Sequence, residues 1–195
     1  DIPYYYPIND YHDITIIPKF SQKKNPALFL EHRKNFSNGE VRTEFSGTIE
    51  NQEVNELKEN KKRGHIKTVG SFDLSSNSYL DFNFHRTTDR NYLNTYKYNY
   101  KDTLESNIKI ESLRSNNFYS FQSYLFQDLR QQFDRKETPK VLPRILIDLN
   151  SDSKNNSFSY NTNIEFSNII RTNGNETKKL FFQQILPFAR LTRFT

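Results

Sequence analysis

Apolar and polar residues alternate with a period of two along most of this chain. In residues 40–50, Val41, Phe45 and Ile49 would share one face of a strand, and the even-numbered residues, all polar, would share the other. Residues 79–86, 104–111 and 158–167 repeat the pattern. Successive side chains of a strand point to opposite faces, and no segment shows helical periodicity of comparable strength. The alternation therefore predicts an all-β chain whose strands have one apolar and one polar face.

The composition agrees with two-faced sheets rather than with an ordinary core. Hydrophobic residues make up 34% of the chain, below the ~45% or more that globular domains usually contain. Aromatic residues nevertheless reach 15%, which is far too many for a disordered chain. The net charge of +5 suits partners that carry phosphate or carboxylate, such as nucleic acid, anionic lipid or acidic glycan, although ordinary soluble domains often carry as much.

Clusters of turn-forming residues divide the chain into about ten runs. Examples are Asn9–Asp10, Ser37–Gly39 and Ser115–Asn117. The spacing predicts an antiparallel up-and-down meander of about ten long strands, joined as successive hairpins. Strands of soluble proteins average about five or six residues, whereas a tilted membrane strand needs about nine to eleven, so strand length favours a transmembrane barrel. No apolar run is long enough for a transmembrane helix.

Two connections between the predicted strands are longer than a turn. Residues 51–63 are densely charged and are interpreted as a solvated loop, and residues 88–101 contain several tyrosines that predict a loop packed against another part of the protein. No linker or shift in composition interrupts residues 1–195, which are predicted to be a single domain. Because the sequence does not begin with methionine, we expect it to be an internal piece of a longer chain.

The sequence contains no motif of a known catalytic or cofactor site. The four histidines, His12, His32, His65 and His85, lie on separate predicted strands without the spacing of metal ligands. We therefore predict no enzyme activity, no catalytic residues, no cofactor and no metal. Basic and aromatic residues interleave in Tyr96–Lys101, as in proteins that stack on nucleic acid or sit at a membrane interface. A sheet of ten hairpinned strands is not a known RNA-binding module, so no nucleic-acid partner is expected.

The first eighteen residues predict a hairpin that is weakened in both arms. Pro3 and Pro18 lie on either side of the turn at Asn9–Asp10. Proline has no backbone N–H to donate to a neighbouring strand, so it is confined to sheet edges, strand starts and bulges. The opening hairpin is therefore predicted to lie at an edge or at a seam that can open.

Six short segments, met in order along the chain, resemble sequences typical of one membrane-protein family. They are Pro3–Tyr6, Asp13–Pro18, Leu28–Arg33, Gly39–Glu44, Thr88–Leu93 and Leu142–Ile145. The family is that of the LPS-assembly protein LptD, also called organic solvent tolerance protein. Its barrel typically starts with proline, tyrosine and an aromatic residue, followed by an Asp-x-Thr-hydrophobic-x-Pro segment. The resemblance covers essentially the whole chain.

This resemblance implies that the chain is the N-terminal part of a barrel domain, an incomplete, open segment of a large transmembrane β-barrel in the bacterial outer membrane. It implies transport of lipopolysaccharide to the outer leaflet through a barrel that opens laterally, with Pro3 and Pro18 at the gate. The implied partners are lipopolysaccharide, outer-membrane lipids, an LptE-like plug lipoprotein and an LptA-like periplasmic bridge protein. The polar face, with Arg42, Lys109 and Arg144, suits a wet lumen that passes phosphorylated sugars.

Two other classes of protein remain open at the level of sequence. One is a soluble all-β binding module, such as an adhesin or a carbohydrate-binding sandwich with a basic surface. The other is an outer-membrane barrel of a different type, such as a porin or a receptor.

Overall fold

The structure is a computed structural model that describes residues 2–21, 24–54, 57–98, 101–132, 138–151, 160–171 and 176–185. Within these ranges the chain forms eleven strands and one short helix. The strands are β1 (Tyr4–Asn9), β2 (His12–Ser21), β3 (Lys24–Phe36), β4 (Gly39–Val54), β5 (Leu57–Ser75), β6 (Ser78–Thr87), β7 (Thr103–Arg114), β8 (Asn117–Asp128), β9 (Lys140–Asn150), β10 (Asn161–Ile170) and β11 (Thr177–Ile185). The helix, α1, spans Tyr92–Thr95, and no helix in the described ranges is long and apolar enough to cross a membrane.

The strands form a single antiparallel sheet in which each strand pairs with its neighbours in sequence, in the order β1 to β11. This confirms the predicted all-β meander, with eleven strands where the sequence predicted about ten. Over the described part of the chain the sheet is open, because β1 and β11 each have one neighbour. The predicted run 158–167 begins at residues outside the described ranges, and its remainder lies mostly in β10.

The register of the strands divides the side chains between a polar and an apolar face. The polar face contains Glu31, Glu44, Lys67 and His85, which lie opposite one another across β3 to β6. The apolar face contains Leu30, Phe45, Ile66, Phe82 and Ile108. The register is expected to be strongly specified where one face of a sheet must stay out of water, because a slip of one residue would move every side chain to the other face.

Most of the apolar face is not covered by protein. Among the described residues, the buried apolar side chains are Ala27, Tyr92, Leu93, Leu104 and Leu129. Large side chains on the apolar face are exposed instead, including Phe20 at 76%, Ile49 at 58% and Phe45 at 50%. A soluble domain of this length would bury far more apolar area. A band of exposed apolar side chains is what the outer surface of a membrane barrel presents to lipid.

The prediction of a solvated loop over residues 51–63 is wrong. β4 and β5 continue as a two-stranded ribbon to Val54 and Leu57, beyond the last pairing of β3 with β4 at Ala27 and Thr48. The register places Glu50 opposite Lys61. Opposite charges directly across an antiparallel pair favour strand pairing, so the dense charge is compatible with a hairpin that extends past its neighbours.

The prediction that the tyrosine-rich connection packs against the protein is confirmed. Residues 88–98, which we call the covering segment, follow β6, contain α1 and lie on the polar face. Their side chains Tyr92 and Leu93 join Leu104 and Leu129 in a fully buried apolar cluster. The ring of Tyr98 lies 4.5 Å from that of Phe29 in β3. This buried cluster therefore holds the covering segment against the sheet.

Candidate functional site

The first hairpin contains a third proline, Pro7, in addition to Pro3 and Pro18. Pro3 lies immediately before β1 rather than inside it, and Pro18 lies inside β2, opposite Leu28. Pro7 lies inside β1, opposite Asp13, and the register with β2 shifts just after it. The signal that singled out Pro3 and Pro18, a proline within a predicted strand, applies equally to Pro7. The edge of the sheet thus lacks backbone donors at the start and in the middle of β1.

The side chains of β1 are all exposed. Tyr4, Tyr5 and Tyr6 keep 58–65% of their surface accessible, and β1 has no second neighbour among the described strands. An edge strand has unpaired N–H and C=O groups that can form hydrogen bonds with another strand. Each proline in it removes one of the N–H groups. β1 is therefore an edge that can pair, but with fewer hydrogen bonds than an ordinary strand would form.

The polar face of β2 to β5 carries an array of ion pairs. Arg42 lies 3.2 Å from both Glu31 and Glu44, and Lys67 lies 3.6 Å from Glu44. The guanidinium of Arg33 also contacts Glu31, at 3.6 Å. Each carboxylate therefore has two cationic neighbours, and the charges of the two signs alternate across the strands.

The same arrangement continues over β6 to β10. Lys109 contacts Asp81 at 3.5 Å and Glu111 at 3.1 Å, and Arg144 contacts Glu165 at 2.9 Å. The three cations that the sequence assigned to a wet face thus lie on the polar face, each beside a carboxylate. Exposed ion pairs are worth only about 0–1 kcal/mol each. A passing phosphate can replace such a carboxylate at little cost, so the face can contact anionic sugars without holding them.

The covering segment is anchored to the polar face by a buried polar network. The hydroxyl of Ser46 lies 2.6 Å from Nδ1 of His65 and 2.7 Å from the hydroxyl of Tyr92. All three residues are buried. Burial of the Tyr92 hydroxyl raises its pKa, and the hydrogen bond with Ser46 only partly offsets that effect. The network therefore links α1 to β4 and β5 and holds it in place.

The four histidines, which lie on separate strands, meet in two pairs. The His65 and His85 ring centroids are 6.0 Å apart, and the Nε2 atoms of His12 and His32 are 2.6 Å apart. The cross-strand register produces both contacts. The positions of these histidines in the sequence do not indicate them. Among the described residues no group of three or more histidine, cysteine or acidic side chains could hold a metal ion.

An ion pair holds the start of the covering segment. Arg63 donates two hydrogen bonds to Asp89, both of 2.8 Å, and a third of 3.0 Å to Glu50. Partial burial raises the pKa of Asp89, but the hydrogen bonds and charge of Arg63, with the amide of Asn91, outweigh it and leave the pKa below its usual range. A bidentate pair of this kind fixes direction as well as distance, so it orients the chain as it leaves β6.

Side chains replace part of the backbone pairing beside the covering segment. Pairing between β6 and β7 extends from Ser78 only to Asn83. Beyond that point Ser106 accepts a hydrogen bond from the amide of His85, at 2.9 Å. Gln127 accepts one from the amide of Thr87, at 3.1 Å, and donates one of 2.8 Å to its carbonyl. The sheet thus parts between β6 and β7 without leaving these backbone groups unsatisfied.

The comparisons with known proteins bear on the strands from β5 onward. The family model of the LPS transport system D, LptD, matches residues 61–194, which is more than half of the chain. No curated protein matches the sequence. The matched residues include the covering segment, Lys109 and Arg144, whereas Pro3 and Pro18 precede them. The chain belongs to the LptD family of Gram-negative outer-membrane proteins, which transport lipopolysaccharide and are not known as enzymes.

Proposed function

We propose that this chain is part of an outer-membrane barrel that delivers lipopolysaccharide to the outer leaflet through a lateral opening. The observation that carries the proposal is the two-sided sheet. One face holds an array of exchangeable ion pairs, and the other exposes apolar side chains such as Phe45 and Ile49. Residues 1–195 would form one piece of a single, larger barrel domain.

The two faces would carry different parts of the same lipid. The polar face would line the lumen, where carboxylates beside Arg42, Lys109 and Arg144 give way to the phosphates of the sugar portion. The acyl chains cannot cross such a surface without losing their apolar surroundings. They would leave sideways, between β1 and a strand that is not among the eleven described here.

Pro3 and Pro18 are proposed as residues of this lateral gate, and we propose Pro7, which lies inside β1, as a third. Each proline removes one backbone donor near the edge of the sheet, where an intramolecular hydrogen bond would be worth about 1 kcal/mol net. Parting β1 from a neighbouring strand would therefore cost less than parting two ordinary strands.

Two protein partners are proposed together with lipopolysaccharide and the surrounding lipids. An LptE-like plug lipoprotein would pack on the part of the polar face that the covering segment leaves open, where Arg33, Glu40 and Asn83 line a cavity of about 560 Å³. An LptA-like periplasmic bridge protein would supply the lipopolysaccharide. Support for the bridge protein is the family membership alone.

Depletion of the full-length protein from a Gram-negative cell tests the proposed function. We expect the protein in the detergent-extractable outer-membrane fraction and a loss of newly made lipopolysaccharide from the cell surface as the protein is depleted. Re-expression of the wild-type protein is the control and should restore delivery. Recovery of the protein in the soluble periplasmic fraction without detergent, or normal surface lipopolysaccharide after depletion, would contradict the proposal.

A further inference from the structure

The apolar face contains a trench that runs across four strands. Its floor follows one row of the register, in which Pro18 lies opposite Leu28, Leu28 opposite Gly47, and Gly47 opposite Gly64. Two neighbouring glycines leave the β4–β5 end of this row without side chains. The resulting cavity has a volume of about 910 Å³, which is within the ~300–1,000 Å³ range of ligand-binding pockets.

Larger side chains border the trench on both sides. Phe45, Ile66 and Arg86 occupy the next row toward the centre of the sheet. Ile49 and Lys62, which lie opposite one another, border it on the side of the projecting ribbon. The trench is therefore one residue row wide, which is the width of a single extended hydrocarbon chain rather than of a bundle of chains.

The two glycines of the floor have different structural roles. A Cβ atom on Gly64 would lie 2.4 Å from the carbonyl oxygen of Ser46, so the close approach of the backbones requires glycine there. A Cβ atom on Gly47 would have no neighbour nearer than 3.8 Å. The backbone thus permits a side chain at position 47, and such a side chain would stand in the trench.

Positive charge is concentrated at one end of the trench. Lys62 and Arg86 both border it, and no described residue that lines it is acidic. Arg63, the remaining cation of the lining, is held on the polar face by Asp89 and Glu50. One guanidinium nitrogen of Arg86 donates to the carbonyl of His85 at 3.3 Å. Cations beside an apolar channel, on the lipid-facing side of a membrane protein, complement an anionic head group.

We propose that this trench binds an anionic glycerophospholipid of the outer membrane. Its phosphate contacts Lys62 and Arg86, and one acyl chain lies over Gly47 and Gly64 toward Pro18. A single row of floor residues and a single pair of cations match one chain and one phosphate. The several chains and two-sugar head of lipopolysaccharide exceed both. The site lies on the face opposite the proposed lipopolysaccharide path, so it is distinct from the proposed function.

The test uses the full-length protein in detergent micelles, with phosphatidylglycerol, phosphatidylethanolamine or purified lipopolysaccharide added separately. Native mass spectrometry then measures the lipid retained. We expect phosphatidylglycerol to be retained by the wild-type protein. Gly47→Leu, which fills the trench, and the double variant Lys62→Gln, Arg86→Gln, which removes its charge, should each lower retention by roughly tenfold, the change that corresponds to about 1.4 kcal/mol.

Two matched controls separate occupancy of the trench from general effects on the sheet. Ser123→Leu places the same leucine side chain on the apolar face of β8, and Arg114→Gln removes an exposed cation beyond the trench. Both should retain phosphatidylglycerol as the wild type does. Unchanged retention in Gly47→Leu, or equal retention of phosphatidylethanolamine and phosphatidylglycerol, would overturn the proposal. Preferential retention of lipopolysaccharide would also overturn it and would leave the transport function standing.

Discussion

Replacing Pro3 and Pro18 together by alanine is expected to reduce the delivery of lipopolysaccharide to the cell surface while leaving assembly of the barrel intact. The alanine at position 3 restores a backbone donor at the start of β1, beside the proposed seam, and the alanine at position 18 restores one inside β2, which can strengthen the opening hairpin. One restored hydrogen bond of about 1 kcal/mol across the seam would shift the opening equilibrium by roughly fivefold toward the closed state. The measurement is the surface lipopolysaccharide of cells whose only copy of the full-length protein carries both substitutions.

The control for this pair is Pro26→Ala, which restores a donor in β3, away from the edge of the sheet. It should leave surface lipopolysaccharide at the wild-type level. Pro7→Ala, inside β1, should act in the same direction as the pair. Normal surface lipopolysaccharide in the Pro3, Pro18 double variant, with normal amounts of assembled barrel, would show that these prolines do not act in the gate.

Tyr92→Ala is expected to detach the covering segment from the polar face. The side chain is fully buried in the apolar cluster and bonded to Ser46. Truncating a buried aromatic residue to alanine costs about 3–5 kcal/mol, and here it also removes the hydroxyl that links the segment to Ser46. Hydrogen exchange of residues 88–98 in the full-length protein should rise to the level of an unstructured loop, while exchange in β8 and β9 stays slow.

Two further variants test the cause of this effect. Tyr92→Phe removes only the hydroxyl and should weaken protection by about 1 kcal/mol. Asn94→Ala, at an exposed position of α1, should have no effect. Slow exchange of residues 88–98 in Tyr92→Ala would show that the buried cluster does not hold the segment.

The ion pair at the start of the segment predicts a dependence on pH. Because the pKa of Asp89 is lowered in the folded protein, the pair stabilises the segment fully above the unfolded pKa of about 3.9 and loses that contribution as the pH falls through the folded pKa. Exchange of residues 88–98, corrected for its intrinsic pH dependence, should stay constant from neutral pH to about pH 4 and accelerate below. Asp89→Asn should show faster exchange already at neutral pH and no acceleration of this kind.

The pattern of side chains was sufficient to predict the sheet and its two faces. Alternation at residues such as Val41, Phe45 and Ile49 depends only on the geometry of a strand, and that geometry is local. The projecting ribbon of β4 and β5 was missed because a run of charge is typical of loops as well as of strands that pair acidic with basic residues. Glu50 and Lys61 become partners only through the register, which no single segment specifies.

The anchoring of the covering segment could be predicted only in part. Its tyrosines indicated packing, but their partners, Ser46 and His65, lie far away in sequence and look like ordinary polar-face residues. Likewise, no local pattern predicts that the side chain of Gln127 forms the hydrogen bonds with the backbone of Thr87 that a neighbouring strand would otherwise form. Such contacts arise where the sheet parts, and that point depends on the paths of two strands together.

A photo-reactive residue on either face of β8 tests the central claim most directly. Gln122 lies on the polar face opposite Lys109 and Arg144, and its neighbour Phe121 lies on the apolar face. In cells that make lipopolysaccharide, we predict a lipopolysaccharide adduct from position 122 and glycerophospholipid adducts from position 121. A lipopolysaccharide adduct from position 121 with none from position 122 would contradict the assignment of the polar face to the transport path.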